Sequence, residues 1–154
     1  MIEPIRLSFE VSCPPDHAFA TWTSRATTWW PASHTVTAAG GVEVVFEGRT
    51  GGRIFERTPA GDEHDWGEIL AWEPPSRIAY LWHLKADRAD ATEVEIRFLE
   101  AGAAGTRVEI EHRGWERIGL DGQSRRDANE GGWGSLLPHY IERANRSGLK
   151  EHAT

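Results

Sequence analysis

Glu56 and His112 are the side chains of this sequence best suited to acid–base chemistry on a bound molecule. Each lies in a segment with the period of a β-strand, two residues after an isoleucine, Ile54 or Ile110, whose side chain is expected to face inward. A carboxylate in such a place needs a hydrogen-bond or charge partner, or else it takes up a proton. We therefore expect Glu56 and His112 to be partners, as in a cyclase, dehydratase or hydrolase. The alternative is a solvated carboxylate at a strand edge and a hydrogen-bonded core histidine.

Large apolar side chains surround these two positions in the predicted strands and in the last helix. Eight tryptophans against two tyrosines are a marked excess, so indole rings either fill the interior or line a cavity in it. Such a cavity is the usual form of a small-molecule site. The candidate ligand-binding residues are Trp22, Ile54, Glu56, Trp66, Tyr80, Trp82, Phe98, His112, Trp133 and Leu137. Interlocked aromatic side chains that leave no cavity are the alternative.

Other reactive residue types give little support to metal or nucleophilic chemistry. No pair of histidines has the close spacing of a preformed metal site, and Cys13, the single cysteine, has no base beside it in sequence. A net charge of −7 with scattered cations disfavours nucleic acids and anionic membranes. We expect no cofactor or metal, no nucleic-acid or membrane partner, and a cytoplasmic location, because the N-terminus does not read as a signal segment.

A curved sheet is needed to bring the candidate residues together. Two apolar runs within residues 65–82 are joined by the turn Glu73-Pro74-Pro75-Ser76, which predicts a β-hairpin. Alternating hydrophobicity predicts five further strands, at 5–11, 42–46, 52–57, 93–100 and 106–113. Two short helices are expected after the first strand, the second of them ending at Trp29-Trp30-Pro31.

A long C-terminal helix is predicted from one apolar stripe. Its members fall three or four residues apart, namely Trp133, Leu136, Leu137, Tyr140, Ile141 and Ala144. Gly148 is a suitable C-terminal stop. Pro138 lies inside the stripe, where it removes one backbone donor, so we expect a kink there or a helix that restarts.

The order of strand, two short helices, six strands and long helix resembles the helix-grip fold of the START-like (SRPBCC) superfamily. Local motifs are similar to the group containing the C-terminal domain of the heat-shock chaperone ATPase activator. They are Gly51-Gly52-Arg53-Ile54, the run from Trp66 to Pro75, Gly105-Thr106-Arg107-Val108, His112-Arg113-Gly114-Trp115, and Gly132-Trp133 with Leu136-Leu137. The resemblance implies an α+β domain over residues 1–148, with a seven-stranded curved antiparallel sheet around the helix. Residues 149–154 are expected to form a flexible tail.

We expect this domain to bind a small hydrophobic or aromatic molecule between the sheet and the C-terminal helix. One alternative is an enzyme that uses Glu56 and His112, and another is a chaperone-associated module that stimulates an ATPase. A homodimer or a chaperone contact is left open as a partner. The resemblance does not choose among these functions, since this fold hosts carriers, receptors and cyclases alike.

Overall fold

Seven antiparallel strands form one sheet in the computed structural model, which describes residues 2–84 and 87–153, with side chains up to residue 146. The strands are β1 Ile5–Val11, β2 Glu43–Phe46, β3 Arg53–Arg57, β4 Glu63–Glu73, β5 Arg77–Trp82, β6 Thr92–Ala101 and β7 Gly105–Arg113. Their spatial order is β1-β7-β6-β5-β4-β3-β2. The predicted seven-stranded antiparallel sheet is confirmed, with β1 paired to β7.

The hairpin of β4 and β5 forms where the sequence predicts it. Alternating apolar residues place Ile69 opposite Tyr80, and both side chains are buried. Gly67 allows the two strands to approach closely, because a Cβ atom there would collide with the Leu81 carbonyl oxygen. Pro74 and the residue after it end the pairing, since proline supplies no backbone donor.

Two α-helices pack against the sheet, and 3₁₀ turns lie between the other elements. The α-helices are α1 Pro15–Trp22 and α2 Gly122–Ala153, and the 3₁₀ turns lie at Ala26–Thr28, Ala32–His34, Arg88–Asp90 and Trp115–Asp121. The Tyr140 hydroxyl on α2 donates to the Ala18 carbonyl at 2.8 Å and so fastens α2 to α1. Among the helices of residues 2–84 and 87–153, none has both the length and the hydropathy to cross a bilayer.

Two expectations about α2 are corrected. The helix runs through Pro138 as one element, so the expected restart is wrong, whereas a kink at Pro138 stays a prediction. It also continues past Gly148 to Ala153, so the predicted stop at Gly148 is wrong. A glycine ends a helix where the chain adopts a left-handed conformation, and residue 148 remains helical. The flexible tail over residues 149–154 stays a prediction, and Thr154 lies outside the described residues.

Aromatic side chains fill the deep interior between the sheet and α2. The Trp22 ring lies at the centre of this cluster, with ring centroids 5.2 Å from Trp29, 4.9 Å from Tyr140 and 6.0 Å from Trp133. Such ring pairs contribute about 0.5–1.5 kcal/mol each beyond their area burial. The aromatic side chains around Trp22 therefore pack against one another, and a ligand cavity between the sheet and α2 stays a prediction.

Candidate functional site: an aromatic cleft at the mouth of the helix grip

A cavity of about 190 Å³ opens where α2, the end of β5 and the turn Ala32–His34 meet. We call it the aromatic cleft, because three indole rings converge on it from three parts of the chain. Its lining residues are Trp30, Ser33, His34, Trp82, Leu84, Asn129, Gly132, Trp133 and Leu136. Two of the ten candidate ligand-binding residues, Trp82 and Trp133, thus lie at one cavity.

Each wall of the aromatic cleft is held by a contact behind it. The Trp30 indole N–H donates to the His34 carbonyl at 3.0 Å, which fixes the turn Ala32–His34 against this ring. The Trp82 ring rests on Trp66, with centroids 5.6 Å apart and planes at 76°. Trp30 also contacts Trp66, at 5.0 Å. Trp66 is fully buried, so it supports two of the three indole walls from within the core.

His112 holds the third wall. Its side chain is fully buried, and its Nδ1 accepts a hydrogen bond from the Trp133 indole N–H at 3.0 Å. Indole nitrogen only donates, so Nδ1 carries the lone pair and the proton of the neutral ring lies on Nε2. Nε2 then donates to the Thr92 hydroxyl at 2.6 Å. Burial lowers the pKa of His112 to about 3, so the imidazole is neutral at pH 7.

Glu56 does not pair with His112. One carboxylate oxygen accepts from the Val36 amide and from the Trp66 indole N–H at 2.7 Å, and the other accepts from the Thr37 amide and hydroxyl. Burial alone would raise the pKa of Glu56, but these hydrogen bonds outweigh it, and the pKa is lowered. A carboxylate offers about four acceptor positions, so Glu56 is saturated. It fastens the segment after the turn Ala32–His34 to β3.

The other sequence-predicted candidates belong to the packed core behind the aromatic cleft. Six of them are buried apolar or aromatic side chains, namely Trp22, Ile54, Trp66, Tyr80, Phe98 and Leu137. Phe98 lies against Phe19, with ring centroids 5.3 Å apart. Their role as ligand contacts stays a prediction.

Polar and small residues of the aromatic cleft were missed at the level of sequence. Ser33, His34, Asn129 and Gly132 carry no hydrophobic signal, so a search for apolar periodicity passes over them. The one available signal was Gly131-Gly132 inside a helical stripe, because glycine in a helix interior is costly and indicates a packing or functional reason.

Larger depressions lie elsewhere on the protein. One of about 370 Å³ lies beside α1 and is lined largely by apolar residues such as Phe19, Trp72 and Pro74, but it has one indole ring where the aromatic cleft has three. Another, of about 340 Å³, lies on the outer face of β1, β6 and β7 and is less suited to an apolar guest, because Arg97 pairs there with Glu95 at 2.9 Å and Arg6 with Glu111 at 3.1 Å. Its charges neutralise one another across the strands. No group of three His, Cys, Asp or Glu side chains within the described part of the chain is arranged to hold a metal ion.

Comparisons with known proteins identify the family. The model of the family "Activator of Hsp90 ATPase homolog 1-like protein" matches residues 12–144, and the chain belongs to this family. Its fold is the START-like helix grip expected from the sequence. A comparison with curated protein sequences returned no significant match.

Solved structures include two with informative similarity. The anthrahydroquino-gamma-pyrone synthase Txn09, solved in complex with SUM, is 36% identical over 80% of this chain and 84% of its own, with a TM-score of 0.58. The self-sacrificing resistance protein CalC from Micromonospora echinospora is 25% identical over 96% of this chain and 97% of its own, with a TM-score of 0.70. Protein MLL2253 from Mesorhizobium loti, at 19% identity, covers 97% of this chain and 98% of its own, and its TM-score of 0.63 supports the fold alone. This family, together with the synthase Txn09 and the protein CalC, fits a ligand-binding or cyclase-type function.

Proposed function

We propose that this protein binds a neutral, planar aromatic molecule in the aromatic cleft. The observation that carries the proposal is the convergence of three indole rings on one cavity: Trp30 from the segment before the turn Ala32–His34, Trp82 from β5 and Trp133 from α2. Indole faces favour offset or edge-to-face contact with another aromatic ring, so three of them around one space select a flat guest. The physical reason is burial of aromatic surface, which is the main source of affinity in such pockets.

The charge of the aromatic cleft supports a neutral ligand. Its described lining residues include no carboxylate, ammonium or guanidinium group. Ser33, His34 and Asn129 supply hydroxyl, imidazole and amide groups at the rim, which suit the hydroxyl or carbonyl groups of a phenol or quinone. Among these described lining residues, none offers a cation to a carboxylate-bearing ligand.

The size of the aromatic cleft limits how much of the ligand it covers. Its volume of about 190 Å³ is below the ~300–1,000 Å³ of drug-sized sites. The proposed ligand therefore inserts one edge of its ring system between the indoles and leaves the rest in solvent. This predicts modest affinity, because affinity rises with the surface that the pocket removes from water.

One relative supports this choice of ligand class. The 36%-identical relative is titled a synthase of an anthrahydroquino-gamma-pyrone, and it was solved as a complex. A cyclase-type reaction through Glu56 and His112 has less support, since all acceptor positions of Glu56 and both ring nitrogens of His112 are engaged in hydrogen bonds. Binding is thus the function that this geometry favours, and stimulation of a chaperone ATPase stays a prediction.

The test uses 1,8-dihydroxyanthraquinone as a neutral planar probe. Titration should quench tryptophan emission saturably in the wild type. Trp82→Phe removes the larger ring of one wall and should weaken binding about fivefold to tenfold, the cost of a lost aromatic contact. Trp72→Phe is the matched control, because Trp72 is also half-buried on the same hairpin but lies beside Phe19. Equal affinity in the two variants would refute the site, and absence of saturable quenching in the wild type would refute the function.

A further inference from the structure

A chain of hydrogen bonds joins two walls of the aromatic cleft through one buried histidine. It runs from the Trp133 indole N–H to His112 Nδ1 at 3.0 Å, and from His112 Nε2–H to the Thr92 hydroxyl at 2.6 Å. The Thr92 hydroxyl lies 3.4 Å from the Trp82 backbone carbonyl, to which it donates. Trp133 belongs to α2 and Trp82 to β5, so these hydrogen bonds connect the helix to the sheet.

The environment of His112 leaves it little freedom to move. Its ring contacts the Trp115 ring at 4.3 Å, and the Trp115 indole N–H donates to the His112 backbone carbonyl at 3.0 Å. The Trp133 ring meets it edge-on, at 89°. The His112 side chain is fully buried and both of its ring nitrogens form hydrogen bonds, so its orientation is fixed.

We propose that His112 is a positioning residue for ligand recognition: its Nδ1 sets the orientation of the Trp133 indole and so the width of the aromatic cleft. The inference rests on the proposed function and gives a specific role to a residue outside the cleft lining. Trp133 is largely buried, and a buried indole N–H without an acceptor is destabilising. Without Nδ1 the indole therefore turns to present its N–H to the cleft and occupies the space of the ligand.

Two substitutions at position 112 separate positioning from general structure. In His112→Asn the shorter side chain places an amide oxygen near the site of Nδ1, so the acceptor for Trp133 is kept. In His112→Gln the longer side chain places its amide near Nε2, so the donor to Thr92 is kept instead. Both variants lose the imidazole and both should be less stable. Affinity for 1,8-dihydroxyanthraquinone should stay within about twofold of wild type in the Asn variant and fall about tenfold in the Gln variant.

A second readout does not depend on any ligand. In ¹⁵N-labelled protein the NMR signal of the Trp133 indole N–H is assigned as the one that disappears in Trp133→Phe. This indole proton should exchange slowly with solvent in the wild type and in His112→Asn. In His112→Gln it should exchange rapidly. The inference would be overturned if the two position-112 variants had equal affinity for the probe and equal protection of the Trp133 indole proton from exchange. It would also be overturned if the Asn variant lost more affinity than the Gln variant.

Two outcomes separate this inference from the proposed function. If the wild type fails to bind the probe, the function is wrong, and the indole exchange data still decide whether His112 orients Trp133. If either variant fails to fold, the ¹⁵N shifts of His112 in the wild type decide instead. An unprotonated Nδ1 with a protonated Nε2 supports the inference, and a protonated Nδ1 overturns it.

Discussion

Acid should destabilise this protein through one buried residue, His112. In the folded protein burial lowers its pKa from the ordinary 6.5 to about 3. The unfolded chain takes up a proton as the pH falls below 6.5, whereas the folded protein does not until the pH nears 3. The folded state thus binds fewer protons in this window, and the free energy of unfolding falls as the pH falls through it.

The size of this effect follows from the two pKa values. Between pH 7 and pH 5 the unfolded imidazole goes from mostly neutral to almost fully protonated, while the folded imidazole stays neutral. At 1.36 kcal/mol per pH unit, the free energy of unfolding should drop by about 2 kcal/mol over this interval from His112 alone. The other titrating groups contribute equally to the wild type and to a variant that lacks only this imidazole.

The assay compares urea unfolding of the wild type and His112→Asn at pH 7 and pH 5, followed by tryptophan emission. Asparagine does not titrate, so the variant should lose about 2 kcal/mol less than the wild type between the two pH values. The variant is expected to be less stable than the wild type at pH 7. This does not affect the test, which compares how much free energy of unfolding each protein loses between pH 7 and pH 5. An identical pH dependence in the two proteins would show that His112 is accessible to protons in the folded state and would refute the reasoning.

Two further predictions concern Glu56 and the glycines of α2. Glu56→Gln leaves two of the four donors facing an NH₂ group, so the free energy of unfolding should fall by about 2–4 kcal/mol, measured by urea denaturation. Because the pKa of Glu56 is lowered in the folded protein, the charged carboxylate stabilises the fold above the unfolded pKa, and this stabilisation is lost in acid. The difference in free energy of unfolding between the wild type and Glu56→Gln should therefore narrow below pH 4. A difference that stays constant with pH would contradict a charged Glu56. Gly131→Ala should raise the free energy of unfolding by about 0.5–1 kcal/mol, since Gly131 is helical and a Cβ there meets open space; a decrease would indicate an unrecognised close contact.

The fold follows from the sequence because its signals are local. Alternating apolar residues define each strand, and the Pro74-Pro75 turn fixes where β4 gives way to β5. The apolar stripe that contains Trp133 and Tyr140 requires a helix that lies on the sheet. These patterns repeat within a few residues, so a single sequence suffices to identify them.

The partners of the two polar candidates could not be predicted in the same way. Glu56 is held by backbone amides of a loop about 20 residues upstream, and a backbone amide leaves no mark in the sequence. His112 is held by Trp133, 21 residues away on another element. Whether an indole ring fills the interior or lines a cavity depends on the rotation of its side chain and on how its neighbours pack around it. The aromatic cleft therefore emerges only from the three-dimensional arrangement.

The most direct test of ligand binding places a bulky side chain in the aromatic cleft by substituting a glycine of α2. Gly132 lines the cleft and Gly131 beside it does not, and a Cβ at either position meets open space. Affinity for 1,8-dihydroxyanthraquinone should be lost in Gly132→Leu, whose side chain would occupy the cleft, and kept in Gly131→Leu, whose side chain points to solvent. Wild-type affinity in Gly132→Leu, with the folded state intact, would contradict binding at this site.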